Sequence, residues 1–514
     1  MDTPFVCAII RLQLPGVRLF AFWPRLPSEM NLFFKNVILT LRGAVLGQII
    51  PIILMPLVLR LYSPTEYGIF GSLMSLAAIL STFFMLQLEL AVVLPKDEPK
   101  AEILAKTALQ ISVGMMFLCI LLLAGFFILT RITGSFAHIS AWIMMAPIIA
   151  FSLSIMNLCN YASVRHMYFK DIGFSAASLH SLNGPMAIIL GLLNANVSGL
   201  VLSRMAGQFL AIAMYRRAAR WLRNIFMSGP ANLTQMKEVL LEYRKFPLYS
   251  TPHLFLTMVA REATSIILIF FNHAQAAGFY TVVRMILLIP SSLLSTSMGQ
   301  VFYREASRSL HHPRFPAFLQ TLMLGVVLIM APICAYVAEW GPQFFRLIFG
   351  PQWAEAGIYA LILMPMAFIF TVNVWIGRIF EISNKQDKIF RLQVCFDSLS
   401  LAVLIGTLYA GLTPVTAISA FVFCQTIYFL AYLAMAFHII QRPMFRYFAL
   451  VGVGMALAGA VMAMHAVIEM LVGGFWLRFV LETAIVGSVA IGFLIYTIRK
   501  VHKIVLLLEA EAAT

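Results

Sequence analysis

From Val37 to Ile498 the sequence is a succession of apolar stretches with only short polar breaks between them. Each is about twenty residues long, which at about 1.5 Å per residue matches the hydrocarbon thickness of a bilayer. In hydrocarbon every backbone N–H and C=O must find a partner within the protein, so spanning segments are helices or closed barrels. Barrel strands need only about ten residues, so stretches of this length specify helices. Charge content excludes a soluble alternative. Only 11% of residues are charged and the mean hydropathy is +0.91, whereas a soluble domain carries roughly 25% charged residues.

The pattern predicts an all-α polytopic membrane protein with about fourteen transmembrane helices. Six run over 36–59, 67–93, 103–130, 139–162, 172–192 and 197–215, the fifth interrupted by His180, Asn183 and Pro185. Eight more follow at 247–271, 276–302, 316–340, 354–379, 389–410, 413–438, 445–468 and 473–498. The implied organisation is a cytoplasmic N-terminal segment (1–35), an N-lobe (36–215), a basic connector (216–246), a C-lobe (247–440), and two further helices with a cytoplasmic tail (441–514). Within the first segment, residues 1–29 place Arg11, Arg18 and Arg25 among Pro15, Pro24 and Pro27. They read as an over-extended start ahead of Met30 or as a disordered cytoplasmic tail.

Lysine and arginine placement fixes the parity. With the N-terminus inside and helices alternating, 27 of the 36 fall on inside segments, and only Arg60, Arg131 and Arg346 on outer loops. A missed helix would scramble this asymmetry, so both termini are expected in the cytoplasm. The net charge of +15 is then a property of membrane topology. No basic stripe with interleaved aromatics lies on a soluble module, which excludes nucleic acid as a partner. The cysteines show neither paired nor metal-ligand spacing, so no disulfide framework, metal site or cofactor is expected.

Three outer hairpins resemble one another: Leu-Tyr-Ser-Pro-Thr-Glu-Tyr-Gly-Ile-Phe (61–70), Phe-Phe-Asn-His-Ala-Gln-Ala-Ala-Gly-Phe-Tyr (270–280) and Phe-Gly-Pro-Gln-Trp-Ala-Glu-Ala-Gly-Ile-Tyr (349–359). Gly68 and Gly278 lie six helices apart in the same orientation, as expected of two pseudo-symmetric six-helix lobes.

Further residues resemble a known family. Leu-Gln-Leu-Glu-Leu-Ala-Val-Val-Leu-Pro-Lys-Asp-Glu (86–98), Tyr-Arg-Lys-Phe-Pro-Leu-Tyr-Ser (243–250) and Gln-Val-Phe-Tyr-Arg-Glu-Ala (300–306) look like the bacterial polysaccharide-biosynthesis flippases. These belong to the multidrug/oligosaccharidyl-lipid/polysaccharide exporter superfamily, with its O-antigen and lipid II flippases. The resemblance covers about Met30 to Arg499 and is diffuse. It implies a fold like that of the superfamily's multidrug exporters: two lobes enclosing a central cavity lined by helices one, two, seven and eight, with two C-terminal helices at one side. It also implies a function: moving undecaprenyl-diphosphate-linked oligosaccharide from the inner to the outer leaflet of the bacterial inner membrane by alternating access. The expected partners are that substrate, membrane lipids and a glycan polymerase or chain-length regulator.

Six arginines fall within predicted helices: Arg42, Arg204, Arg261, Arg284, Arg378 and Arg478. A mid-membrane charge costs from about 2.5 to more than 10 kcal/mol, so each must face a cavity, a partner or a ligand. Arginine stays ionised and presents a planar fork to phosphate oxygens. Arg261 and Arg284 rank first as diphosphate ligands, followed by Arg42 and Arg204. Arg378 with Glu381, and Arg478 with Glu482, have the spacing of local pairs. Arg261 and Glu262, being adjacent, point about 100° apart and are expected to find different partners. Glu89, expected to pair with Arg42 or an arginine of the other lobe, joins Glu262 and Asp397 as a site for coupling to H+ or Na+ or for compensating the arginines.

The competing reading is a cation-coupled drug or metabolite antiporter of the same superfamily, whose cavity would be acidic; the basic interior favours an anionic cargo. An enzyme is not expected. No outer loop exceeds about fifteen residues, and the connector has no Asp-x-Asp or phosphate-binding loop.

Overall fold

The computed structural model describes residues 50–134, 140–227, 229–309, 315–383, 385–440 and 445–512. The chain is helical throughout these segments. In order, α1 spans Ile50–Leu61, α2 Pro64–Phe84, α3 Glu98–Thr133, α4 Ala146–Arg165, α5 Phe169–Leu192 and α6 Asn196–Met214. Two connector helices follow, α7 (Arg216–Met227) and α8 (Leu233–Glu242). Then come α9 (Thr251–Phe270), α10 (Ala274–Ser309), α11 (Phe315–Phe349), α12 (Ala356–Ile376), α13 (Gln386–Tyr409), α14 (Pro414–Ile439), α15 (Phe445–Leu471) and α16 (Phe475–Ala512). The protein is a multi-pass membrane protein. Among the described residues, eleven helical spans are long and apolar enough to cross a bilayer. Helices α1, α5 and α10 occupy the other three predicted positions: α1 is described only from Ile50, α5 carries His180, Asn183 and Pro185, and α10 is apolar over Ala274–Ile289 among the described residues.

The echoed hairpins sit at one end of the bundle, called here the hairpin end; the lysine- and arginine-rich turns sit at the other, the basic end. Local chemistry sets the hairpin turns. Ser63 caps α2 in a capping box with Glu66, and Pro64 occupies the first turn, where its missing N–H costs nothing. Asn194 and Asn272 adopt φ of 55° and 64° to end α5 and α9, the left-handed position that asparagine tolerates.

Packing follows membrane rules. Lipid is as apolar as leucine, so close backbone approach and side-chain hydrogen bonds decide the contacts. Helix α2 packs on α4 of its own lobe and on α9 and α10 of the other; α10 packs on α12, and α11 carries α15 and α16. Gly68 and Gly278 meet reciprocally where the lobes join. A Cβ on Gly68 would lie 2.8 Å from Gly278 N, and one on Gly278 would lie 2.8 Å from the Pro64 carbonyl carbon. The third echoed glycine, Gly357, rests on the backbone of Gly341 and Pro342. The repeated glycine of the hairpins is therefore a contact requirement: a side chain would hold the helices apart.

The predicted end of helix two needs correction. Helix two was expected to run to residue 93, but α2 ends at Phe84. Leu86 and Gln87 take φ of 51° and 59°, and a separate short helix, Leu88–Ala91, follows. Ser81 and Thr82 return their hydroxyls to the carbonyls of Ala78 and Ile79, which draws the last turn away from regular helix. The basic connector contains two helices and leads into α9 through a π-helical turn, Phe246–Ser250, where Pro247 and Pro252 supply no N–H.

Candidate functional site

A cavity of about 600 Å³ lies between the lobes. Residues spaced three or four apart on each helix bring its lining together: Leu54 and Val58 from α1; Tyr67, Gly71 and Ser75 from α2; His180, Asn183 and Gly184 from α5; Arg204 from α6; Arg261, Glu262 and Ser265 from α9; Thr281 and Arg284 from α10. Helices five and six therefore join the four that the resemblance implied.

Three arginines and one carboxylate line this space. Glu262 Oε1 receives Arg284 Nη2 at 2.7 Å and lies 3.3 Å from Arg261 Nε; Oε2 receives Arg284 Nη1 at 3.3 Å and the Ser75 hydroxyl of the other lobe at 3.0 Å. Three hydrogen bonds and the nearby Arg261 charge surround the carboxylate. Adjacent Arg261 and Glu262 were expected to find different partners, yet they share this cluster. Arginine is long enough to swing its Nε back beside its neighbour. One carboxylate balances one arginine, so two of the three arginines have no acidic counterpart among the described lining residues. Arg261, 61% exposed, reaches into the open space. Arg204, ranked last from sequence, has a buried Nε with no hydrogen-bond acceptor and no carboxylate within ion-pair distance among the described residues. A buried donor left unmade costs about 1–3 kcal/mol, more when charged. Arg204 is therefore the group in the cavity most in need of an anion.

The hairpin end of the cavity is sealed. Gly68 and Gly278 close on each other, and Ser72 donates to the Ser265 carbonyl at 2.8 Å. Trp353 Nε1 donates to the Leu59 carbonyl at 2.6 Å, while Arg60 reaches the Ile348 and Leu347 carbonyls at 3.1 and 2.5 Å. These bonds fasten the end of α1 to the α11–α12 hairpin. Tyr67 and Phe279 pack edge-on against the fully buried Trp353 ring.

The remaining predicted residues lie elsewhere. Arg42 falls outside the described residues. Glu89 is buried in the short helix after α2, away from the cavity and without an arginine partner among the described residues. Its Oε1 receives Gln87 Nε2 at 3.4 Å, and its Oε2 has no partner. Burial without a cation pushes its carboxyl up to about 7. The break at Phe84 turned this residue away from the position that an unbroken helix would have given it. Asp397 faces α14, where Gln425 Nε2 donates to it at 3.0 Å, and contributes nothing to the cavity lining. Arg378 bonds Glu381 at 2.8 Å, as its spacing implied. Arg478 pairs instead with Glu469 at 2.7 Å across the α15–α16 turn. Glu482, its expected partner, is buried and takes the Trp340 indole N–H at 2.6 Å and His465 Nδ1 at 2.8 Å. The sequence reading gave no role to His180 or Asn183. Their spacing of three, on one face of an apolar helix, was the available signal.

Two helical lobes around a positively charged cavity closed at one end have the architecture of a membrane transporter. Residues 57–358 match the family described as polysaccharide biosynthesis protein, and the chain belongs to that family. The fold is similar to that of lipid II flippase MurJ in an inward closed conformation, at 13% identity and a TM-score of 0.60 over 90% of this chain and 98% of that one. A second solved structure, the MATE transporter ClbM in complex with Rb+, matches with 14% identity and a TM-score of 0.35 over 79% of this chain and 92% of that one. No curated protein matches the sequence significantly.

Proposed function

We propose that this protein moves an undecaprenyl-diphosphate-linked oligosaccharide from the inner to the outer leaflet of the bacterial cytoplasmic membrane by alternating access, with the basic end and both termini in the cytoplasm. One observation carries the reading: Arg204, Arg261 and Arg284 converge on a cavity in which one carboxylate, Glu262, is their only acidic counterpart among the lining residues. An anion with two charges, such as a diphosphate diester, would neutralise the remainder. Arg204 supplies a guanidinium whose buried Nε has no acceptor among the described residues, and Arg261 an exposed one. The same basicity weighs against the alternative cargo, a cationic drug. Protonation or Na+ binding at Glu262 would loosen Arg284 and Arg261, which makes Glu262 the best placed of the three acids to couple an ion to the cargo. O-antigen, capsule or exopolysaccharide precursors all present this diphosphate, and a glycan polymerase would receive the product.

Deletion of the gene in its host should trap the lipid-linked glycan in the inner leaflet. Complementation with the natural chain should restore export, and Arg204→Gln should not. Undisturbed glycan export on deletion, or full rescue by a folded Arg204→Gln protein, would overturn the proposal.

A further inference from the structure

Helix α7 is amphipathic along its whole length. Ala218, Leu222 and Ile225 recur at helical spacing and are buried in the core of the N-lobe's basic end. Arg216, Arg220 and Arg223 recur at the same spacing two positions earlier, about 200° around the helix, and are exposed. Arg217 leaves that row: its guanidinium stacks over Tyr168 at 5.0 Å, and its backbone N–H donates to Asp171 at 3.2 Å.

Among the described residues these arginines lack acid partners, unlike three cations at the same end of the bundle. Lys100 pairs with Glu242 at 2.7 Å, Arg165 with Glu98 at 3.1 Å and Arg391 with Asp387 at 2.6 Å. Among the described residues no carboxylate lies within ion-pair distance of Arg216, Arg220 or Arg223. The carboxylates nearest in sequence and packing are engaged: Glu98 by Arg165, His166 and the Trp221 indole N–H, and Asp171 by the Arg217 backbone. Arg220 Nε donates to the Arg216 carbonyl at 3.2 Å, which fixes one edge of its fork and directs the other outward. Together with Ala213, at the end of α6, the three side chains border a hollow of about 400 Å³. Three like charges around a hollow, with no counter-charge among the described residues, attract an anion. At the basic end of a membrane bundle the lipid headgroups supply one.

We propose that Arg216, Arg220 and Arg223 form a binding site for the phosphate of an anionic phospholipid headgroup at the membrane surface. The site rests on the membrane placement of the chain and not on its cargo, so its failure would leave the proposed transport untouched, and the reverse also holds. Such a lipid would hold α7 against the membrane at the point where α6, which carries Arg204, leaves the bundle.

The test is native mass spectrometry of the full chain released from detergent and titrated with dioleoyl phosphatidylglycerol or dioleoyl phosphatidylcholine. The natural chain should retain phosphatidylglycerol in preference. Affinity for it should fall by about fivefold per arginine removed, reaching its lowest value in R216Q/R220Q/R223Q, with phosphatidylcholine retention unchanged. Arg223→Gln alone should show one such step and serves if the triple variant does not purify. The comparison variant K96Q/K100Q/K106Q should keep the preference. Retained preference in the triple arginine variant, or an equal loss in the lysine variant, would show a diffuse field and overturn the proposal. Displacement of the bound phosphatidylglycerol by equimolar undecaprenyl diphosphate would overturn it differently, by marking the hollow as a cargo site.

Discussion

Gly68→Ala should open the hairpin end. The added Cβ would fall 2.8 Å from Gly278 N and 3.0 Å from the carbonyl carbon of Ala274, against the 3.4 Å at which ordinary contact begins. The Ala274 carbonyl oxygen lies closer still; all these neighbours are backbone, so no rotamer change relieves the overlap, and α2 and α10 must part by roughly an ångström or more. Overpacking of this kind typically costs about 1–3 kcal/mol. Here the cost falls on the sealed state alone, because parting the lobes removes the clash. It therefore shifts the equilibrium toward the unsealed state by about 5- to 150-fold. Electron-electron distance measurements between spin labels at Leu193 and Tyr409, exposed at the hairpin end of opposite lobes, should show a longer-distance population growing in Gly68→Ala. The reciprocal Gly278→Ala, whose Cβ meets the Pro64 carbonyl, should do the same. Gly125→Ala serves as the control, because nothing lies within 4 Å of its added methyl. A folded Gly68→Ala protein with the distance distribution of the natural chain would refute the assignment of this contact as the seal.

Three further outcomes are expected. Glu262→Gln leaves Arg284, only 14% exposed, without its anion, and should lower stability in detergent by about 3–5 kcal/mol, as breaking a buried pair does. Thermal unfolding that recovers in Glu262→Gln/Arg284→Met would confirm the pairing, and an unshifted midpoint in the single variant would contradict it. Glu89, whose carboxyl is pushed up to about 7 from an ordinary 4.5, binds its proton more tightly folded than unfolded. Its penalty is absent below about pH 4.5, grows from there to about pH 7 and is complete above, on the order of 3 kcal/mol. Glu89→Gln should therefore match the natural chain in acid and exceed it in stability near pH 8; parallel stability curves would contradict this. Glu482→Ala should leave the Trp340 indole N–H and His465 without their shared acceptor, a loss of about 1–3 kcal/mol. Hydrogen exchange should rise along the α11–α15–α16 contact while the central cavity region is unchanged, and a uniform rise would argue for global destabilisation instead.

Much of the fold was legible because a bilayer restricts what a chain can do. Hydropathy located the spans, the hairpin echo pointed to paired lobes, and Gly68 and Gly278 proved to be reciprocal contacts in the same repeat. Side-chain pairing was less legible. Arg261 and Glu262 are adjacent in sequence but belong to one cluster completed by Arg284 and by Ser75 from the opposite lobe. Sequence spacing carries no information on which residues of other helices approach. Glu89 was read as lying in an unbroken helix; the turn at Leu86 and Gln87 depends on backbone dihedrals that two ordinary residues do not announce. Arg478 and Glu482 have ideal i,i+4 spacing, yet Glu482 bonds Trp340 and His465 because the packing of α11 offers better-placed donors. Arg204 was ranked low because nothing in the sequence shows that the acid serving the other arginines does not reach it.

The most direct test of a flippase with a basic diphosphate site is leaflet transfer in proteoliposomes. Purified full-length protein would be reconstituted with a short fluorescent undecaprenyl-diphosphate oligosaccharide, and exposure of the label to a membrane-impermeant quencher followed with time. Expected is transfer well above that of protein-free vesicles, retained in Lys100→Gln and abolished in a folded Arg204→Gln/Arg261→Gln protein. Transfer equal to that of empty vesicles, or undiminished in the double arginine variant, would contradict the central claim.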